Sequence, residues 1–564
     1  MLKRFRLPLL TATVLLLLAS CNKTNKQGKL IPKDAMLVIH VSGESLNSKL
    51  PWDDIKKNQM FQEMYADSTL PPFIKSLLDN PENSGVDVNN DLIGFACKDS
   101  IGGYFAIEGT IKDAAKFSTF NTFITKGGTN VEKEGMNFIS KSPMCVGWSK
   151  EKFVYVVDMP QLGSMGSFMG RNVGEDSKPR DVGATCSAVF AIKEENSLAK
   201  DEKFSSLMND KGDMHFWVNT NALMSGNDMM GMLSMTKISD LYKDALSTAS
   251  LTFNNGKIDV DFKSYSSKAM TDLMKKYEGG EINTDMFKRY GSKDIVAAFA
   301  LNFKPEVIRE ILKVTGMDGM ANNYLRKAGI SLDDFVKGNK GDIFIAASDI
   351  KPESDTVRYG TGPTDYSVKD KPNGKFIFAA SINDRPSFNN LIKAEQNATG
   401  GPVADSIAKA KGISYNTNDK YFAIGNDKAL VDQYMAGGNN DFPFLKNISG
   451  NPIGGYLNIQ GIMKSMSPLA TKDSTSTQMF NASMQLWEDA YIKGGKYSDG
   501  AMTQHFEINL VDKNTNSLKQ LNTYFAKLTQ LVKARQKKYV NEFSTQVDST
   551  TNITVDSVIS NSRH

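Results

Sequence analysis

The residues of this sequence that could do chemistry are few and loosely grouped. Ser197 and Lys200, and again Ser406 and Lys409, have the Ser-x-x-Lys spacing. On a helix that spacing sets a hydroxyl and an amine on one face, where the amine can activate the serine for acyl transfer. Neither pair has a convincing Ser-Asp-Asn or Lys-Thr-Gly companion, and the chain has no Gly-x-Ser-x-Gly elbow and no P-loop. Spacing this loose recurs by chance in a long, lysine-rich chain. A hydrolase is therefore the alternative function, and no catalytic residue is assigned.

Four histidines occur in the chain. His40 and His215 fall in strand-like runs, His215 beside Phe216 and Trp217, and both are expected to be packed. No histidine pair stands at metal-ligand spacing and none has a cysteine partner, so neither a zinc site nor any other cofactor is expected. Asp53-Asp54 and Asp333-Asp334 lie at or near the starts of expected helices. There carboxylates satisfy orphan amides and favour the helix dipole, so capping is read in preference to acid–base work. Asp87, Asn89 and Asp91 are spaced like the opening of a calcium loop, without the glycine and terminal glutamate that such a loop needs.

Methionine is the least ordinary feature. Met224, Met229, Met230, Met232 and Met235 crowd a segment that also carries Gly226 and Gly231. Met159, Met165 and Met169 alternate with Gly163, Gly166 and Gly170. Thioether chains on a flexible backbone can remould around varied apolar partners, so the first five are the candidate binding surface. The plainer reading makes them gap-fillers over the core, and Cu(I) is a minor alternative. Cys97, Cys145 and Cys186 are an odd set without a Cys-x-x-Cys pair. They are read as small buried hydrophobes, with a disulfide between two of them as the alternative.

The elements that must position these residues begin with an address. Lys3, Arg4 and Arg6 precede an apolar run over 7–19, which suits a signal peptide and is too short for a spanning helix. Leu18-Ala19-Ser20-Cys21 resembles the lipobox of bacterial lipoproteins. The resemblance implies cleavage before Cys21 and acylation of that residue, anchoring the chain to a lipid bilayer. Asn22 in place of Asp, and the absence of acidic residues over 22–29, favour by the same resemblance the periplasmic face of the outer membrane. Without Lys3, Arg4 and Arg6, 64 basic residues face 63 acidic ones. That balance leaves no nucleic-acid footprint.

With 564 residues, at least two cores are expected. The apolar run opened by Lys33-Asp34 matches the one opened by Lys293-Asp294, which sets His40 opposite Ala300. Trp217-Val218-Asn219 followed by Leu223-Met224 matches Tyr456-Leu457-Asn458 followed by Ile462-Met463, which sets His215 opposite Gly454. Asp113 with Phe117 and Asp384 with Phe388 predict a capped helix with an aromatic one turn on. Order and spacing together predict an α+β fold made of two tandem homologous domains, each a mostly antiparallel sheet with helices mainly on one face. The expected divisions are a signal peptide (1–20), a tether (21–30), a first repeat domain (31–280), a second (288–532) and a polar, disordered tail (533–564). The second copy inserts 351–374, rich in Pro, Gly, Asp and Ser, which is expected to be disordered. Basic residues from Lys519 to Lys538 suit the end of a last, solvated helix.

Lipobox, tether, Lys-Asp strand openings and duplicated unit together resemble an uncharacterised Bacteroidetes lipoprotein family, a domain of unknown function. The resemblance implies location and architecture and supplies no site residues. The expected function is noncatalytic binding or scaffolding in the cell envelope, with an envelope protein or an apolar ligand as partner.

Overall fold

The computed structural model describes residues 26–160, 162, 179–224, 237, 243–360, 362, 364, 366–399, 412–470 and 473–547. Two compact units divide them. The first takes its residues from Met1–Asn47, Pro71–Thr252 and Asp261–Thr271, and the second from Ser48–Leu70, Phe253–Val260 and Asp272–His564. Helices and antiparallel strands make up both, so the fold is α+β. No described helix is long and apolar enough to cross a membrane.

The strands of the first unit are β1 (Leu37–Val41), β2 (Leu92–Lys98), β3 (Gly103–Thr110), β4 (Thr129–Lys133), β5 (Met136–Lys141), β6 (Met144–Trp148), β7 (Lys152–Asp158), β8 (Met214–Asn219) and β9 (Leu246–Asn254). The strand β10 (Lys257–Tyr265) follows. Pairing runs β4-β5-β6-β7-β3-β2-β1-β8-β9, antiparallel throughout. The helix Ala114–Ile124 begins where the Asp113 carboxylate accepts from the amides of Ala115 and Lys116, both at 3.0 Å. One turn on, Phe117 is fully buried with its ring 5.0 Å from that of Phe153, beside Ile111, Ile139, Val146 and Trp148.

In the second unit the strands are β11 (Ile295–Asn302), β12 (Asn339–Arg358), β13 (Tyr366–Ile382), β14 (Ser414–Thr417), β15 (Tyr421–Gly425), β16 (Ile453–Leu457), β17 (Trp487–Ser498) and β18 (Ala501–Leu510). They pair in the order β14-β15-β13-β12-β11-β16-β17-β18, again antiparallel. One sheet face carries Ala298, Ala300, Phe344, Ala346, Ile377, Ala379 and Ala423. It is closed by Met286, Phe287, Leu430, Val431 and Tyr434 from the helices Thr284–Lys288 and Lys428–Ala436. Small residues on the strands make room for large aromatics on the helices, the interlocking that dense packing requires.

Two stretches differ from expectation. The described residues of 351–374 form the outer half of the β12–β13 hairpin, in register from Lys351 opposite Asn373 to Arg358 opposite Tyr366. Cross-strand partners hold it: Lys371 Nζ lies 2.9 Å from Asp355, and the Ser354 hydroxyl donates to Asp370 at 2.7 Å. The last helix runs Ser517–Val547 and so continues well into the stretch expected to be disordered. No glycine or proline occurs between those ends, and Lys, Arg, Gln and Glu dominate its second half, all good helix formers.

Candidate functional site

One row of residues crosses the sheet of the first unit. Ser250 on β9 is opposite His215 on β8, His215 opposite His40 on β1, His40 opposite Ile93 on β2, Ile93 opposite Glu108 on β3, and Glu108 opposite Val154 on β7. Directly opposed residues project to the same face. Ser250, His215, His40 and Glu108 are all buried. The corresponding row of the second unit is Lys493, Gly454, Ala300, Phe344, Ala379 and Ala423, in which Lys493 is exposed and the other five carry no titratable group. Strands in this order close a core without histidine or glutamate, so packing alone gives no reason for them in the first unit.

The two histidines meet ring to ring, with His40 Nδ1 2.9 Å from His215 Nδ1. Each outer nitrogen faces an oxygen, though only that of His215 makes an aligned hydrogen bond. His40 Nε2 lies 3.3 Å from Oδ2 of Asp91, in the turn before β2. His215 Nε2 lies 3.1 Å from the carbonyl of Asp210, which follows the helix Glu202–Asn209. The Gln27 amide donates to the Asp91 carboxylate, and Lys263 Nζ pairs with Asp210 at 2.9 Å. Burial pushes the Asp91 carboxyl up, but the hydrogen bond and charge of His40 outweigh it and hold Asp91 below the usual carboxylate range. Burial, then the charge of His40, lowers His215 from the ordinary histidine value. Two strands away, burial raises the Glu108 carboxyl to about 7, opposed only by the charge of Lys152, and its Oε1 has no hydrogen-bond partner.

The other residues singled out in the sequence take structural places. Ser197 caps a single 3-10 turn, Leu198–Lys200, rather than sharing a helix face with Lys200. Its hydroxyl donates to the Glu194 carbonyl at 2.9 Å, and Lys200 Nζ pairs with the Glu194 carboxylate at 3.2 Å. The proton that an amine base would take is thus engaged elsewhere. Ser406 and Lys409 lie outside the described residues, as do Cys21, Met229, Met230, Met232 and Met235. Met224 ends the short helix Thr220–Met224. Asp53 and Asp54 stand in the first turn of Trp52–Lys56 but accept from lysine rather than from orphan amides: Lys56 at 2.7 Å, and Lys57 and Lys519 each at 2.9 Å. Asp334 completes a capping box with Ser331. Cys97, Cys145 and Cys186 are buried and free, and burial pushes the Cys97 thiol up to about 12.

Among the described residues, Asp259, His505 and Glu507 of the second unit could hold a metal ion. Lys257 already fills the cation's place, its Nζ 3.1 Å from Asp259 and 2.7 Å from Glu507.

The opposite face of the second-unit sheet is apolar. Along one row lie Phe506, Ile492, Gly455, Phe299, Ile345 and Phe378, and along the next Ala490, Leu457, Ala297, Ala347 and Phe376. A Cβ on Gly455 would stand 2.6 Å from Ile492, so glycine leaves a dip at the middle of the first row. The concavity there has a volume of about 400 Å³, and Ala, Gly, Phe, Ile, Leu and Tyr alone line it. Phe299, Ile345, Phe376 and Leu457 each remain more than a third exposed.

The family DUF4836, a domain of unknown function, matches residues 28–359, more than half of the chain. The chain belongs to this family. The DUF4836 match takes in the whole histidine–glutamate row and ends one residue past β12. Comparison with curated proteins gives no match. Among solved structures, crystal forms IV, I and III of TP0453 are similar to the chain at 11%, 8% and 10% identity, with TM-scores of 0.24, 0.22 and 0.24. They cover 42%, 42% and 45% of this chain and 79%, 77% and 87% of their own.

Proposed function

We propose that this chain is a lipid-anchored envelope lipoprotein of the Bacteroidetes that binds an apolar ligand of the acyl-chain class and catalyses nothing. The observation that carries the binding role is the concavity on the second-unit sheet. Its volume falls within the roughly 300–1,000 Å³ of ligand sites, and it offers neither a charge nor an amide. Four large side chains left in water around one dip form a contiguous patch rather than scattered surface hydrophobes. Acylated Cys21 would hold the body at the periplasmic face of the outer membrane, close to a source of such ligands. The Met224–Met235 stretch is kept as a second adaptable surface.

The two units are read as copies of one block. Support comes from strand order: β6-β7-β3-β2-β1-β8-β9 in the first corresponds step by step to β14-β15-β13-β12-β11-β16-β17 in the second. The capped helices at Asp113 and Asp384 recur at the same place, each after the strand that partners β2 or β12.

The test is titration of the purified mature chain, lacking its signal peptide, with a conjugated polyene fatty acid that fluoresces when shielded from water. Saturable enhancement is expected, weakened at least ten-fold by Phe299→Glu or Ile345→Glu. These residues are partly exposed, so both variants should fold. Enhancement that does not saturate, or that both variants retain, refutes the site. Palmitate labelling that survives Cys21→Ala refutes the anchor.

A further inference from the structure

Hydrogen-bond accounting around His40 and His215 comes out one hydrogen short if both rings are neutral. His215 Nε2 faces the Asp210 carbonyl at 3.1 Å, an atom that can only accept, so this nitrogen carries hydrogen. His40 Nε2 lies 3.3 Å from the Asp91 carboxylate without an aligned hydrogen bond, but a bare lone pair there would be repelled by the anionic oxygen, so it carries hydrogen as well. A neutral imidazole then has a bare lone pair on its other nitrogen. Two such lone pairs would point at each other across 2.9 Å, between rings that are both shut off from water. Something positive must lie between them.

We propose that the His40–His215 pair is a buried one-proton site, an imidazolium–imidazole pair in which His40 Nδ1–H donates to His215 Nδ1 and Asp91 supplies the counter-charge. The separation selects a proton over a metal. Two imidazole nitrogens bound at ~2.0–2.1 Å to one tetrahedral zinc stand roughly 3.3 Å apart, wider than the 2.9 Å found. That distance is an ordinary one for a hydrogen bond between nitrogens. Among the described residues, no third ligand atom joins the pair into a metal-holding group.

The surroundings hold the charge at one. Asp91, steadied by Gln27, balances the proton from the turn before β2. Asp210 is itself balanced by Lys263 from β10. Asp213, beside β8, accepts from the Ser45 hydroxyl at 2.5 Å. Ser250 from β9 is neutral, and Glu108 stands beyond Ile93 with its carboxyl pushed toward the neutral form by burial. Loss of the proton would leave opposed lone pairs and an uncompensated Asp91. A second proton would set two imidazolium rings against each other. The proton thus works as a structural ligand that ties β1 to β8.

The test is the imidazole ¹⁵N spectrum of the whole mature chain, labelled at histidine, at neutral pH. One ring is expected with both nitrogens protonated and one as the Nε2–H form, with a nitrogen–nitrogen coupling across the shared hydrogen. Both are expected to vanish in the His40→Ala, His215→Gly double variant, which installs the second unit's own residues. If the two wild-type rings that the double variant lacks are both neutral Nε2–H rings, the proposal is overturned. Asp91→Asn, close in shape, is expected to melt at a lower temperature and to lose the doubly protonated ring; retention of that ring overturns the counter-ion role. A zinc-induced rise in melting temperature that the double variant abolishes would make the site metallic and also overturn the proposal.

Discussion

Glu108 shows how one side chain can reveal the purpose of a whole row. Its corresponding position in the second unit is Ala379, fully buried, so the carboxyl is no packing requirement. Burial raises it from 4.5 to about 7. An acid raised in the folded state is protonated there while the unfolded chain is already ionised, so stability is complete below 4.5 and falls as pH rises to about 7. At about 1.4 kcal/mol per unit, the loss comes to roughly 3 kcal/mol above neutrality. Glu108→Gln keeps the shape without the charge. It is expected to stabilise the first unit by about 2–3 kcal/mol at pH 8 and by almost nothing at pH 4, read from urea melts at the two pH values. A variant less stable than the wild type at pH 8 would mean that the ionised carboxylate has a favourable partner.

Elements were legible in the sequence where pattern is local. Asp113 and Phe117 announce the helix Ala114–Ile124 because cap and packing aromatic lie within four residues of each other. The histidine pair was not legible, because it depends on β1 pairing with β8 across 175 positions of sequence. The clue was present in the alignment with Ala300 and Gly454, two small residues that leave no room for a ring. Glu108 stood in the open as a lone charge in the run Gly103–Thr110. The outer β12–β13 hairpin reads as a loop because of Pro352, Gly374 and the Asp and Ser residues, whereas Thr356, Val357, Tyr366 and Val368 are strand formers, Thr356 directly opposite Val368. Tyr359 and Tyr366 near its tip remain 71% and 45% exposed, so the arm buries little. Replacing 351–374 by a two-residue Asn-Gly turn is therefore expected to leave the melting temperature of the second unit within about 2 °C, a shift of about 1 kcal/mol at this size. A larger fall, measured by circular dichroism, would mean that the arm supports the sheet.

Across the whole molecule, the two units solve the same topological problem with different chemistry, and acid should tell them apart. Lowering His215 below 6.5 makes its neutral form part of the folded state, so its contribution is full above 6.5 and is lost as pH falls through that value. Asp91, lowered from 3.8, adds a second loss that begins only below that value. In the second unit, Glu507 is held below 4.5, while Asp489, raised by burial, works in the opposite sense and favours the folded form as pH falls. Glu108 works against this loss, gaining stability as pH falls from about 7, so in the Glu108→Gln variant the first unit should weaken between pH 6.5 and 5 while the second holds. Tryptophan reports each separately: Trp148 and Trp217 belong to the first unit, Trp52 and Trp487 to the second. With Trp52 and Trp487 changed to Phe and Glu108 to Gln, the urea midpoint followed by fluorescence is expected to drop on going from pH 7 to pH 5. With Trp148 and Trp217 changed instead, it is expected to stay level. Equal drops in both would remove the row across β8, β1 and β3 as the origin of acid sensitivity. A drop confined to the first pair, and abolished by His40→Ala with His215→Gly, would place it at a second proton entering the histidine pair.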